Sequence, residues 1–408
     1  MTVPLITKRL IFHFGGYDPI APDAAHRRFI RELRRFEKTW SATASVSQAE
    51  VGPDEAAWDI VTTGPNWRVE TRYISVRWDD VMEAYRRQPM WRRVPRALLA
   101  FLEFVTAGAF WGYLRTNWRY ALFFLYPVFL FSAFIAVAWL LGSTLAKVSG
   151  SILAGSAIGF VVFSVLLRWP GRRLYLALLF DDWIFSSNYI RGATGPLDLR
   201  LDRIARQIAE AASRPQVDEI LVSGHSLGVV LAIDTLDRAL NLDPTLGLRQ
   251  TPVALLSLGS SMLKIGLHRG AIRFRAAAKR VAAAPGILWA EYQAIIDVMN
   301  FYKVDPIAAL GLTTTRRPVM RLVHIRDMLD PPAYRRIRRS FLRVHRQFIS
   351  ATSRRTSYDY FLLVCGPLSV GRHVNLPERI ASALSLDGAL LDRANEDENP
   401  PERAALAR

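Results

Sequence analysis

The run Gly224-His225-Ser226-Leu227-Gly228 places a serine between glycines at G-x-S-x-G spacing. Its surroundings give it chemical meaning. The preceding Asp218-Glu219-Ile220-Leu221-Val222-Ser223 reads as a short buried strand. The following Val229-Val230-Leu231-Ala232-Ile233-Asp234-Thr235-Leu236 reads as an unbroken helix. A sharp turn between two such elements forces the serine into a strained backbone conformation and lifts its hydroxyl out of the sheet. The glycines keep side chains from colliding with the neighbouring strand and helix. A serine hydroxyl alone is a weak nucleophile. It needs a histidine to take its proton, a carboxylate to orient that histidine, and N–H donors for the developing oxyanion.

After a turn of this kind the expected chain order is serine, acid, histidine. Three histidines qualify. His324 lies in an alternating strand and reads as a satisfied core residue. His373 follows the last predicted strand. His345 sits in Phe341-Leu342-Arg343-Val344-His345-Arg346-Gln347-Phe348, close to an apolar helix face. The acid depends on where one strand ends: if it covers 287–294, Asp297 lies just past it, and if it covers 297–304, Asp305 does. Asp297 is preferred, and Asp327 and Asp330 suit only a scheme built on His373. The oxyanion donors expected are the backbone N–H groups of Leu227 and Gly16. The histidines and carboxylates lack metal-ligand spacing, there is one thiol, and no phosphate or dinucleotide fingerprint occurs, so neither metal nor cofactor is expected.

Several elements must position these groups. Arg9-Leu10-Ile11-Phe12-His13-Phe14 reads as a strand running into the turn Gly15-Gly16-Tyr17-Asp18-Pro19. A helix follows over 22–40, with Phe29, Leu33, Phe36 and Trp40 on one face. Further strands are predicted at 71–78, 253–258, within 287–304, at 319–325 and at 358–365, and an amphipathic helix at 197–212. Helical stretches between most strands predict an α/β architecture with a mostly parallel sheet. No internal repeat is visible, and 395–408, charged and proline-containing, reads as disordered.

The 408 residues carry a formal net charge of +17, mostly arginine, which calls for an acidic partner. Hydropathy selects an anionic membrane surface over nucleic acid. Residues 120–146 and 148–167 contain no charge, and each stretch is long enough to cross a bilayer as a helix. Arg115 and Arg119 precede the pair, Arg168, Arg172 and Arg173 follow it, and the connection holds only Lys147. Both long flanks are therefore expected in the cytoplasm and the connection at 142–150 outside. Gly155 and Gly159 have the small-xxx-small spacing of close helix packing, and Trp118, Tyr120, Trp139 and Trp169 suit the interfaces. The stretch 91–114 is too interrupted by charge to span and reads as lying along the membrane surface. No apolar leader follows the first residues, and the lone Cys365 fits a reducing compartment. The expected organisation is 1–115 and 174–390 as two parts of one domain, a membrane hairpin at 116–173, and a tail at 391–408.

The elbow, the Gly15-Gly16-Tyr17 turn and the C-terminal half resemble the α/β-hydrolase superfamily in its lipase/esterase branch. More narrowly, the chain resembles a group of bacterial membrane-inserted hydrolases. Besides the elbow, the segments from Trp289-Ala290-Glu291-Tyr292 through Asp297 to Asp305-Pro306, Leu342 to Phe348, and Tyr358-Asp359-Tyr360-Phe361 to Gly366-Pro367 carry that resemblance. It implies an α/β-hydrolase-type sheet with an inserted transmembrane hairpin, and His345 as the base. The loop Asp305-Pro306-Ile307-Ala308 resembles the acid loop of some phospholipases. The implied activity is that of an inner-membrane serine hydrolase of lipid or acyl esters, with its catalytic domain cytoplasmic. An acyltransferase would use the same acyl-enzyme, and a silent membrane scaffold would keep the same fold.

Overall fold

A computed structural model describes residues 5–391 and divides into two compact units. One takes in the chain up to Trp78, Asp198–Met262, and the chain from Arg275 on; the other holds Asp79–Leu197 and Leu263–Phe274. The hairpin thus belongs to a larger helical unit, which begins well before the boundary at 116 expected from hydropathy and also recruits residues from behind the elbow. The tail at 395–408 lies outside the described residues.

The first unit is built on a nine-stranded, mostly parallel sheet flanked by helices. Its strands are β1 (Lys8–Phe14), β2 (Thr43–Val46), β3 (Glu50–Val51), β4 (Glu55–Gly64), β5 (Trp67–Val76), β6 (Glu219–His225), β7 (Val253–Leu258), β8 (Ile287–Ala294) and β9 (Val319–Val323). They run in the order β2-β4-β5-β1-β6-β7-β8-β9, with β3 paired to β4. From β5 through β1, β6, β7 and β8 to β9 every pairing is parallel; the pairs around β4 are antiparallel. Every residue of β6 and β7 is buried, which is why they read as continuous apolar runs without alternation. β4 and β5 form a hairpin in which Gly64 pairs with Trp67, and Trp58 stacks on its cross-strand partner Tyr73 with ring centroids 4.9 Å apart. The sequence reading anticipated only part of β5 and none of β4.

Helix Pro22–Trp40 buries Phe29, Leu33, Phe36 and Trp40 along one stripe, as its periodicity required. The strand predicted at 358–365 is instead helix Tyr360–Cys365. Asp359 decides this: its Oδ1 accepts from the N–H groups of Phe361 and Leu362 at 2.8 and 3.0 Å, and its Oδ2 from the Trp40 indole at 3.1 Å. A short apolar run buried all round has no periodicity to separate helix from strand, so the cap and its buried partners win. His324, expected as a satisfied core residue of a strand, lies outside it. β9 stops at Val323, and His324 is exposed in front of a short helix.

In the second unit, helices Trp118–Ser149 and Ile152–Arg168 form an antiparallel pair, each long and apolar enough to cross a membrane, the latter counted on to Arg173. Small residues let them touch backbone to backbone. A Cβ added at Gly155 would sit 2.5 Å from the Gly142 carbonyl oxygen, and one at Gly159 would sit 3.1 Å from that of Ala138. Gly155→Leu should therefore force the helices apart and destabilise the pair by about 1–3 kcal/mol or more. Leu153, 81% exposed, should tolerate alanine. Melting in detergent checks both; an unshifted Gly155→Leu protein would contradict the packing.

Candidate active site

Ser226 follows β6 directly and has φ of 57°, in the left-handed region that a residue with a Cβ seldom occupies. The neighbouring glycines have steric reasons. A Cβ at Gly224 would lie 2.6 Å from Val229 Cα, and one at Gly228 would lie 2.1 Å from the Phe14 carbonyl oxygen. The helix Gly228–Leu242 thus starts hard against the end of β1, and only glycine permits it. The Ser226 amide donates to the Leu258 carbonyl at 3.0 Å, which ties the turn to the end of β7.

β8 ends at Ala294, and the turn that follows carries Asp297. Asn300 holds this turn: its Nδ2 donates to the carbonyls of Ala294 (2.9 Å) and Asp297 (2.7 Å), and its Oδ1 accepts from the Ala294 amide at 3.2 Å. Both Asp297 oxygens are engaged. Oδ1 accepts from the Met299 amide at 2.9 Å, and Oδ2 lies 2.7 Å from His345 Nδ1. His345 ends the short helix Phe341–His345 beyond β9, and both side chains are almost fully buried. With Asp297 ionised, Nδ1 carries the proton and Nε2 has its lone pair free. Nε2 makes no hydrogen bond in the structure. Ser226 and His345 are therefore not hydrogen-bonded to each other through Nε2.

The two halves meet across glycines. Gly259, with φ of 54°, leaves room for Phe348, and a Cβ there would lie 3.4 Å from His345 Cε1. His345 thus packs against the same Leu258-Gly259 corner that receives the Ser226 amide. Gly16 approaches from the loop after β1; a Cβ on it would lie 3.0 Å from Ser226 Cβ and 3.2 Å from His225 Nδ1. Leu227 occupies the N-cap position of the elbow helix, the end of a helix whose backbone N–H groups favour negative charge.

His225 is a residue whose part the sequence reading missed, though it lies inside the motif. Its Nε2 donates to the His345 carbonyl at 3.0 Å, and the two rings lie 4.5 Å apart. Burial, and then the neighbouring His345, push its imidazole well below the ordinary range, so it remains neutral. Asp18 is a second such residue. Two positions beyond Gly16, it pairs with Arg346 at 2.8 Å and Arg28 at 3.7 Å, linking the Gly16 loop to the residue after His345.

The alternatives lie elsewhere. Asp305 caps helix Pro306–Ala309, accepting from the amides of Ile307 (2.9 Å) and Ala308 (3.1 Å), and pairs with Arg317 at 3.0 Å. Asp330 caps Pro331–Ile337, and Asp327 is exposed. His373 is buried in Val370–Asn375, whose first amide donates to Glu219 at the start of β6. Ser226 follows the opposite end of that strand, about 20 Å away at the usual strand rise. Burial, and then Arg9 and Arg372, push the His373 imidazole down to about 3.

Asp297→Asn should lower turnover about 10⁴-fold with the fold retained, because the wrong tautomer is then held at Nδ1. Asp305→Ala should cost about 0.5–2 kcal/mol of stability through its lost cap, with turnover largely kept. Turnover and melting of the purified variants test the pair; a dead Asp305→Ala protein beside an active Asp297→Asn protein would reverse the assignment.

Comparison with known proteins found no matching family model, no matching curated protein and no matching solved structure.

Proposed function

We propose that this chain is a membrane-anchored serine hydrolase of the α/β-hydrolase type, acting on lipid or acyl esters through an acyl-enzyme. The observation that carries this is the buried Asp297–His345 pair, 2.7 Å apart with Nε2 unpartnered, beside a serine at φ of 57°. The chain order of serine, acid and histidine, with each group following the C-terminal end of a parallel strand (β6, β8 and β9), supports the same fold type.

In this reading His345 Nε2 takes the Ser226 proton as Oγ attacks the ester carbonyl carbon. Asp297 holds the tautomer and stabilises the imidazolium, while the amides of Leu227 and Gly16 receive the oxyanion. His345 then protonates the departing alkoxide. A water molecule, deprotonated in turn at Nε2, attacks the acyl-enzyme; the acyl–Oγ bond breaks, the acid leaves, and the imidazolium returns its proton to Ser226 Oγ. In this reading the hairpin anchors the enzyme in the inner membrane; the two helices long and apolar enough to span support an anchor, and the arginines at both ends of the pair favour a cytoplasmic catalytic unit. Two guanidinium groups, Arg28 and Arg346, share the single carboxylate of Asp18 and leave positive charge beside the site, which favours an anionic amphiphile.

A fluorophosphonate probe should label the wild-type protein at Ser226. Ser226→Ala should abolish the labelling, and His345→Ala should slow it at least about 10³-fold. Mass spectrometry of the labelled peptide decides: labelling that persists in Ser226→Ala, or that maps to another residue, would overturn the reading.

A further inference from the structure

Helices Met90–Thr106 and Ala109–Thr116 stand directly before the hairpin and meet at a 65° bend. Both expose large apolar side chains. The first buries Arg93, Ala97, Ala100 and Phe104, and Arg93 donates from Nε to Asp181 at 2.7 Å and from its terminal nitrogen to the Ala177 carbonyl at 3.0 Å. The outer side is apolar. Trp91, Leu99 and Leu102, then Trp111 and Leu114 beyond the bend, are between 45% and 69% exposed. A helix pair turned toward water does not carry so many large apolar side chains on its outer side. The bend is built in: Gly108 has φ of 83°, and the Arg269 amide donates to the Ala107 carbonyl at 3.3 Å.

By length and composition this bent pair could count as one broken span, giving three crossings in place of two. The sheet decides the number. β1 precedes the helical segment and β6 follows it, yet they pair directly, from Arg9 with Glu219 through Phe14 with Gly224. A sheet lies on one side of a membrane, because a bilayer core satisfies no open strand edge. The chain between β5 and β6 must therefore cross an even number of times. The hairpin supplies two crossings, which leaves none for Met90–Thr116.

We propose that Met90–Thr116 is a non-crossing membrane element whose apolar outer face sits among the lipids of the leaflet on the sheet's side. This rests on the hairpin being the membrane anchor. The face continues into the hairpin through Trp118, and its border is basic and aromatic. Arg92 lies 4.6 Å over the Trp91 ring, Arg173 lies 4.6 Å over the Trp169 ring, and Arg96, Arg115 and Arg119 stand nearby in the chain. Such a border suits anionic headgroups, with the apolar side chains reaching about 5–10 Å into the headgroup–acyl boundary.

The test uses the full chain in vesicles of phosphatidylcholine and phosphatidylglycerol. Cys365, fully buried, is replaced by serine to give a thiol-free background. Spin labels on Leu99→Cys and Leu102→Cys should be accessible to oxygen but protected from an aqueous nickel reagent, and shallower than a label on Phe129→Cys in the hairpin. An impermeant maleimide should reach Gln88→Cys and Arg115→Cys from the same side. Opposite-side labelling of those two, or nickel access at Leu99 and Leu102 with Phe129 protected, would overturn the proposal alone. Nickel access at Phe129 as well would overturn the anchor and the proposal with it.

Discussion

The close passage of Gly228 beneath the carbonyls of Phe14 and Gly15 is the constraint from which the candidate site follows. It lets the elbow helix begin at the end of β1, two residues after Ser226 turns through the left-handed conformation. The same junction has the loop after β1 lying against the serine, where a Cβ on Gly16 would sit 3.0 Å from Ser226 Cβ. A methyl group at Gly228 would open this junction at 2.1 Å, a distance no relaxation of a side chain relieves, because the opposing atom belongs to the backbone.

The base side is assembled by different means. Asp297, in a turn, and His345, at the end of a short helix, are 48 residues apart in sequence, and each is held by neighbours outside the pair. Asn300 ties the aspartate turn back onto β8, and His225 holds the backbone of His345 from inside the elbow. A neutral His225 matters here, since a second cation 4.5 Å from His345 would oppose the imidazolium that the proposed reaction forms.

The pairing of β1 with β6 has a consequence far from the serine. It closes the sheet across the whole helical segment, so the membrane topology of that segment is constrained by hydrogen bonds in the other unit. Hydropathy scores each helix by itself and carries no such parity condition.

The local features were legible because local physics sets them. The elbow needs glycines at two positions, a membrane helix needs some twenty uncharged residues, and Pro22–Trp40 needs its apolar stripe; each is written in consecutive residues. Asp297 was preferred over Asp305 from the predicted strand end alone, and that end at Ala294 is where β8 stops. What tertiary structure decided is what no short window contains. Asp305 is spent on a helix cap and an arginine, and His373 lies at the wrong end of β6. Tyr360–Cys365 is helical because Asp359 finds Trp40 more than three hundred residues away in the chain. Arg93, one of the charges that interrupt the stretch 91–114, turns inward to Asp181. In each case one side chain had several uses open to it, and the partner that chose among them was distant in sequence and adjacent only after folding.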